Sequence, residues 1–369
     1  MRNKGKLVFF NGQKALFLLL DPVVSILLAL AAGAVMIWAL GIDAGLAYQA
    51  LWQGAFGDAN ALANTLLYAV PLMFMAFAFA VAYRAGVFNL GAEGQMYIGA
   101  VLAAWAGYAV TGLGHTAHIV LVLLAGAVGG GLWGAAPAVL KAKRGVNEVI
   151  TCIMLNYIAI NVTNYLVNTR GPLRGGSTLP ATPVIQDTAR LSKLIAGTRL
   201  SSGILIAVFC GMVLYIFMWK TRAGYKLRAA GLNAQAAECG GIPTTRCAVT
   251  TMIIAGALAG MGGAVEIAGV HSRFYAEFSS GYGFEGIAVS MLGANHPFGI
   301  LLSAVLFGAL KNGASAMQIQ AGANAELVKV LQALVIFFIA CRWSVAKLLA
   351  YKRGAAGKDG GGEAREEDG

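Results

Sequence analysis

Charge is what this sequence lacks most. Only 12% of its residues are Asp, Glu, Lys or Arg, against roughly 25% in a soluble domain. With 58% apolar residues, that scarcity excludes water as the main solvent, and no long polar stretch is left over for a separate soluble domain. At about 20 residues per membrane span plus connections, 369 residues accommodate on the order of ten helices. The expected fold class is all-α, a polytopic integral membrane protein of about ten transmembrane helices.

Reactive patterns are missing as well. The five cysteines, Cys152, Cys210, Cys239, Cys247 and Cys341, show neither metal-site spacing nor a disulfide framework. Those lying in apolar runs read as small hydrophobes. His115 and His118 are close enough to share a metal, but no Asp, Glu or Cys is near them. They are expected as residues of a surface loop, and His271 and His296 likewise stand near expected loops. The phosphate loop Gly-x-x-x-x-Gly-Lys-Ser/Thr is absent, since Gly357-Lys358 lacks both the upstream glycine and the hydroxyl. The chain therefore does not bind ATP in that way, and no cofactor, metal or catalytic residue is expected. A formal net charge of +11 would suggest nucleic acid in a soluble protein. Here the cations collect at the ends of apolar runs, which reports orientation in a membrane and no nucleic-acid partner.

What is present is a series of apolar runs. The first, Ala15 to Leu40, follows Arg2, Lys4, Lys6 and Lys14. It imitates a signal peptide, yet stays apolar through Trp38, so an uncleaved span is expected. Others cover Leu62 to Tyr83, Gly94 to Val110, Ala117 to Leu140, Val149 to Val167, Ser201 to Trp219, Ala248 to Val270, Gly283 to Ala294, Phe298 to Met317 and Leu327 to Trp343. With residues 1–14 cytoplasmic, the basic groups Lys141, Lys143 and Arg144, then Lys220, Arg222, Lys226 and Arg228, then Arg342, Lys347, Lys352 and Arg353 all fall inside. Both termini are then cytoplasmic, around a membrane portion of 15–353 and a disordered tail, 354–369, that is glycine-rich and then acidic. One segment resists: the 168–200 loop would lie outside yet holds Arg170, Arg174, Arg190, Lys193 and Arg199. Its glycines and prolines suggest an ordered external cap.

Several patterns point to packing or a transport path. Gly126, Gly130 and Gly134 repeat every four residues, as do Gly256 and Gly260, so these are expected helix contacts. Phe88-Asn89-Leu90-Gly91-Ala92-Glu93-Gly94-Gln95 places amides and a carboxylate among glycines between apolar runs, which is costly in a membrane unless they face a cavity or a partner. Its Gly-Ala-Glu-Gly returns as Gly283-Phe284-Glu285-Gly286, each opening a short run; paired broken helices of this kind mark the path in repeat-built transporters. Tyr157, Asn161, Asn164, Tyr165 and Asn168 share one helix face, flanked by Asn156 and Thr163. That face either lines a path for a hydroxylated or heterocyclic solute or bonds to neighbouring helices. Glu266 and Lys311 stand inside apolar runs, where they could pair with each other, snorkel or face the path. Between spans, Thr221 to Pro243 reads as a basic amphipathic start, a Gly-Leu-Asn break, a short alanine-rich helix and a Gly-Gly-Ile-Pro stop. It suits either docking to a protein or lying on lipid headgroups.

The Phe88 run, Asn147-Glu148-Val149-Ile150 leading to Met154-Leu155-Asn156-Tyr157, the Gly231 to Ile242 segment, and Gly283 to Val289 ending at Gly293-Ala294-Asn295-His296-Pro297 resemble the permease subunits of ABC importers for branched-chain amino acids, ribose and related solutes, most closely the simple sugar and nucleoside branch. The resemblance spans about Ala61 to Trp343. It implies an inner-membrane permease that performs no ATP hydrolysis itself. Its partners would be two ABC ATPase subunits, a second permease subunit in a heterodimer, an external substrate-binding protein and membrane lipid. It also implies that the cytoplasmic 220–246 loop holds the helix coupling the permease to the ATPase, with Gly231, Asn233, Ala236, Ala237, Gly241 and Ile242 matching. Pathway candidates are Asn89, Glu93, Gln95, Tyr157, Asn161 and Glu285, and the substrate would be a nucleoside, with monosaccharides and then riboflavin or purine bases behind. An ion-coupled carrier, the rival class, would use Glu93 or Glu285 as its ion site and have no use for the coupling segment.

Overall fold

The computed structural model describes residues 12–340 except 169 and 177. The tail and the cations beyond the last span lie outside the described residues. The elements in order are α1 (Gly12–Ala39), α2 (Ala44–Phe56), α3 (Ala59–Arg84), α4 (Ala92–Ala109), α5 (His115–Arg144), α6 (Glu148–Val167), α7 (Gly203–Lys220), α8 (Arg222–Leu232), α9 (Ala234–Cys239), α10 (Thr244–Glu266), α11 (Tyr282–Leu292), α12 (Pro297–Ala321) and α13 (Ala325–Ala340). A π-helical turn, Ile267–His271, extends α10. Among the described residues there is no β-strand, only isolated bridges between Ala181 and Tyr275 and between Lys193 and Ser201.

As far as the residues are described, each apolar run falls in a helix, and among the described residues six helices are long and apolar enough to cross a membrane: α3, α5, α6, α7, α10 with its π turn, and α12. The count of about ten spans is therefore not established. The opening turn of α4 carries Glu93, and α11 has only 11 residues. Hydropathy missed α2, because Tyr48, Gln49 and Gln53 interrupt its pattern. Its start is set instead by Asp43, whose carboxylate accepts from the backbone of Gly45 (2.7 Å) and Leu46 (3.2 Å).

Residues 48–320 form one compact unit, and the described parts of 1–47 and 321–369 form another. In the latter, α1 and α13 pack together. In the former, α3 is apolar on every side, and 89% of its most apolar stretch is buried, so its neighbours rather than lipid enclose it. It packs against α10, α11 and α7, with Phe74, Phe77 and Phe79 fully enclosed. In lipid this burial gains dispersion contacts rather than escape from water, so close fit matters more than apolarity.

The closest fit is where the glycine repeats predicted it. Gly126, Gly130 and Gly134 of α5 face Gly256, Gly260 and Met252 of α10, so a methyl group on Gly130 would overlap the Gly256 carbonyl. Gly99 of α4 joins the same seam against Gly260 and Gly126. The repeats are helix contacts.

The helices of this unit share two ends. The 168–202 segment lies at one, bonded to the C-terminal end of α4 through Gln186 N–H to Gly107 O (2.9 Å) and to the π turn through Leu191 N–H to Ala268 O (2.9 Å). The α8–α9 segment lies at the other, joined to it by α7, about 27 Å long at 18 residues.

Candidate functional site

The chain between α3 and α4 leaves the helix at Gly86, whose φ of +75° disfavours any side chain. It then runs unpaired by helix bonds to Gly91. Buried amides replace the missing bonds. Asn89 Nδ2 donates to Gln95 Oε1 (2.9 Å), and Gln95 Nε2 donates back to Asn89 Oδ1 (3.0 Å). Asn156 of α6 clamps the turn from the side, accepting from Gly94 N (2.8 Å) and donating to Leu90 O (2.8 Å). Asn89 and Gln95 are 0% and 1% exposed, and each offsets the desolvation cost of the other. In this conformation both hold the opening of α4 in place. Asn156, which flanked the expected α6 stripe, has the more structural role.

Asn156 lies eight residues into α6, so α4 begins about 12 Å inside the bundle. There it meets the N-terminus of α11. Glu93, 5% exposed, accepts from Gly283 N at 2.5 Å. One carboxylate thus sits at two helix N-termini, where the unpaired N–H groups and both macrodipoles favour negative charge. Tyr97, one turn further along α4, exchanges 3.4 Å hydrogen bonds with the backbone of Ser279. The recurring Gly-x-Glu-Gly openings therefore meet directly, although α4, at 18 residues, is not itself short.

Glu285, the second glutamate of the repeat, pairs with Lys311 of α12 at 3.0 Å. Lys311 also donates to Ser280 Oγ (2.9 Å) and lies 4.1 Å from the Tyr282 ring centroid. Glu266 and Lys311 do not pair with each other: Glu266 faces His271 at 3.4 Å. Lys311, Ser280, Tyr282 and Tyr97 belong to this junction but were not among the expected site residues. The available signal was a lysine in mid-span.

Tyr157 (66% exposed), Asn161 and Tyr165 (65%) lie on the outer face of α6. Asn161 Nδ2 donates to Tyr157 O within its own helix (2.8 Å). These residues are not brought together with Glu93. Asn164 instead accepts from Glu277 N (3.2 Å), tying α6 to the chain before α11. His118 is a correction to the expected surface residue, being fully buried. Its ring nitrogens reach Thr188 Oγ1 (2.8 Å) and Ala106 O (3.3 Å), which pins the 168–202 segment to α4 and α5.

At the opposite end, α8 stops at Asn233, whose side chain caps α9 by accepting from Ala236 N (3.0 Å). Ala237 is buried, Ala236 exposed, and Gly241 takes φ +77° to release the chain toward Ile242. Gly231 packs on the backbone of Arg84 and Gly86, where a methyl group would overlap the Arg84 carbonyl. Trp219 lies within reach of two guanidinium groups, Arg84 at 5.4 Å and Arg228 at 5.8 Å. Arg84 also donates to the carbonyls of Asn295 (3.1 Å) and Ala294 (2.9 Å). A cleft of about 850 Å³, lined by Arg222, Tyr225, Leu232 and Ala236 among others, opens beside this contact. It holds exposed apolar groups beside cations, with Leu232 88% and Tyr225 62% exposed.

The sequence model of the family described as branched-chain amino acid transport system / permease component matches residues 61–340. The chain is 36% identical over 343 residues to the guanosine ABC transporter permease protein NupP of Bacillus subtilis, covering 90% of this chain and 96% of that one. It is 36% identical to the glucose ABC transporter permease protein TsgB13 of Haloferax volcanii, covering 86% of each. It is 35% identical to the nucleoside ABC transporter permease protein NupB of Lactococcus lactis subsp. cremoris, covering 89% and 93%. No solved structure matches.

Proposed function

The chain belongs to the branched-chain amino acid transport system permease family, and from that premise we propose that it passes nucleosides across the inner membrane as one of two different permease subunits of an ATP-driven importer. As a permease of an ABC transporter it works with ATPase and substrate-binding partners, and it is a multi-pass membrane protein. The observation that carries the nucleoside reading is the nearly full-length likeness to a guanosine permease. The equal identity to a glucose permease favours monosaccharides as the second reading.

In this reading both termini are cytoplasmic, the α8–α9 segment docks on the ATPase from the inside, and the 168–202 segment is external. Leu232, Asn233 and Ala236 present the docking surface. Gly231, Ala237, Gly241 and Ile242 shape it from beneath. A displacement of α8 acts on Arg84 and Gly86 through Gly231, and Gly86 begins the unwound stretch that ends at Gly91, just before the helix turn that carries Glu93. Alternating access then consists of parting the two helix openings joined by Glu93 and Gly283, with Glu285 and Lys311 beside them. The pathway candidates act in that open state, in which Asn89 and Gln95 exchange their mutual bonds for the solute, and Tyr157 and Asn161 line the seam with the second permease.

The test is uptake of labelled nucleosides by cells with and without the gene. Ribose and free bases serve as competitors, and ATP depletion and an uncoupler are applied separately. Uptake that requires the gene, is competed by nucleosides and follows ATP is the expected result. Competition by sugars alone would favour the second reading, and collapse with the uncoupler at constant ATP would refute the importer.

A further inference from the structure

Helices α7 and α10 meet at one end and part toward the other. Near the 168–202 segment they are in contact: Gly203, the first residue of α7, packs on Val265, close to the end of α10. Both then rest on α3, where Phe77 fits against Gly211 of α7 and Phe74 against Gly262 of α10. Between them runs a groove of about 400 Å³, walled by Cys210, Val213 and Phe217 on one side and by Ile254, Leu258 and Met261 on the other. Every lining side chain is apolar. From Phe209 to Phe217 the groove follows α7 for about 12 Å.

This space must be filled, because helix walls facing a void forfeit the dispersion contacts that hold membrane helices together. Another helix is too wide. At about 10 Å across, a 12 Å length of helix would occupy about 900 Å³. An extended segment of a second protein would leave its backbone N–H and C=O groups unpaired against apolar walls. An acyl chain has neither problem.

On the α8–α9 side the groove ends at cations. Lys220 follows Phe217 by one helical turn. Lys226 of α8 is an electrostatic neighbour of Cys247, which stands two turns before Ile254 on the same face of α10. Both lysines line one cleft, and neither makes an ion pair with a described residue. Glu238, the single carboxylate of 220–246, is occupied by the Thr244 hydroxyl. Tyr225, exposed beside them, belongs to the residue types that settle between hydrocarbon and water.

We propose that this groove holds one anionic phospholipid, with an acyl chain between α7 and α10 and its phosphate on Lys220 and Lys226. Unpaired cations at the end of an apolar slot between spans suit a headgroup of that sign. The lipid thereby bridges α7, α8 and α10.

The test uses the assembled transporter in phosphatidylcholine liposomes carrying a trace of phosphatidylglycerol with a photoreactive diazirine in mid-chain. Cross-linked peptides are identified by mass spectrometry, and size exclusion verifies that each variant assembles. We expect cross-links within 209–217 and 254–261 that unlabelled phosphatidylglycerol removes. In K220Q/K226Q the half-competing mole fraction should rise about tenfold or more. In R144Q, which removes a cation of the same end on α5, it should not change. L258W fills the groove but keeps both lysines, and should lose the cross-links. Equal labelling by a photoreactive phosphatidylcholine, or an unchanged half-competing fraction in K220Q/K226Q, overturns the site in favour of ordinary surrounding lipid. Displacement by inorganic phosphate overturns it in favour of a free anion. Absence of cross-links in both stretches overturns it too, in favour of the second permease where Cys210 is also closed to maleimide.

Discussion

Replacing Glu93 tests whether the meeting of α4 and α11 is held by charge. In Glu93→Gln the acceptor at Gly283 survives as a neutral carbonyl, so a charge-assisted bond of about 1.5–3 kcal/mol becomes one of about 0.5–1.5. The interaction of the carboxylate with two helix N-termini, about 0.3–1 kcal/mol each, is lost as well. Polar pairs inside membrane proteins average only about 0.6 kcal/mol in double-mutant cycles, so the expected destabilisation is about 1–3 kcal/mol. Glu93→Ala goes further, leaving the Gly283 N–H buried without a partner at about 1–3 kcal/mol more and a void against a residue packed on the Glu93 side chain. The assay is thermal unfolding of the detergent-purified protein, with nucleoside uptake measured in parallel. The order of melting temperature should be unmodified, then Gln, then Ala, and both variants should lose uptake. Equal stability of all three proteins would refute the capping role. An alanine variant more stable than the glutamine one would show that burial of the carboxylate is a net cost.

The remaining predictions concern contacts elsewhere in the same unit. A double-mutant cycle of Lys311→Met and Glu285→Gln should give a coupling of about 0.5–2 kcal/mol, read from the melting temperatures of the single and double variants; additive losses would mean the pair is incidental. Gly130→Ala forces a methyl group onto the Gly256 carbonyl and should cost about 1–3 kcal/mol. Gly176→Ala, which meets open space, should be nearly neutral, and equal effects would refute the glycine seam. His118→Ala removes the bridge to Thr188 and Ala106; hydrogen exchange in 182–191 should quicken while that in α3 stays unchanged.

Composition alone determined that this is a helical membrane protein, because a chain so poor in charge has no alternative solvent. Four-residue glycine spacing determined the α5–α10 seam, because a helix repeats its face nearly every four residues and only glycine admits backbone contact there. The Asn233 break and the alanine-rich α9 were legible for the same local reason, since capping acts over three residues. Hydropathy failed at α2, whose start is set by the Asp43 cap and whose Gly54 packs on α12, while Gln49 and Gln53 stay exposed. It could not distinguish Asn89 and Gln95 as partners from Asn89 and Gln95 as ligands of a solute, because an amide looks the same in either role. The partners of Glu93, Glu285, Lys311, Glu266 and His118 were decided only by the tertiary structure. Glu93 and Gly283 are 190 positions apart, and nothing in either neighbourhood specifies which helix opening will be carried to the other. That is set by how α3, α4, α10 and α11 pack, the one arrangement in which a buried carboxylate finds the two helix ends that stabilise it.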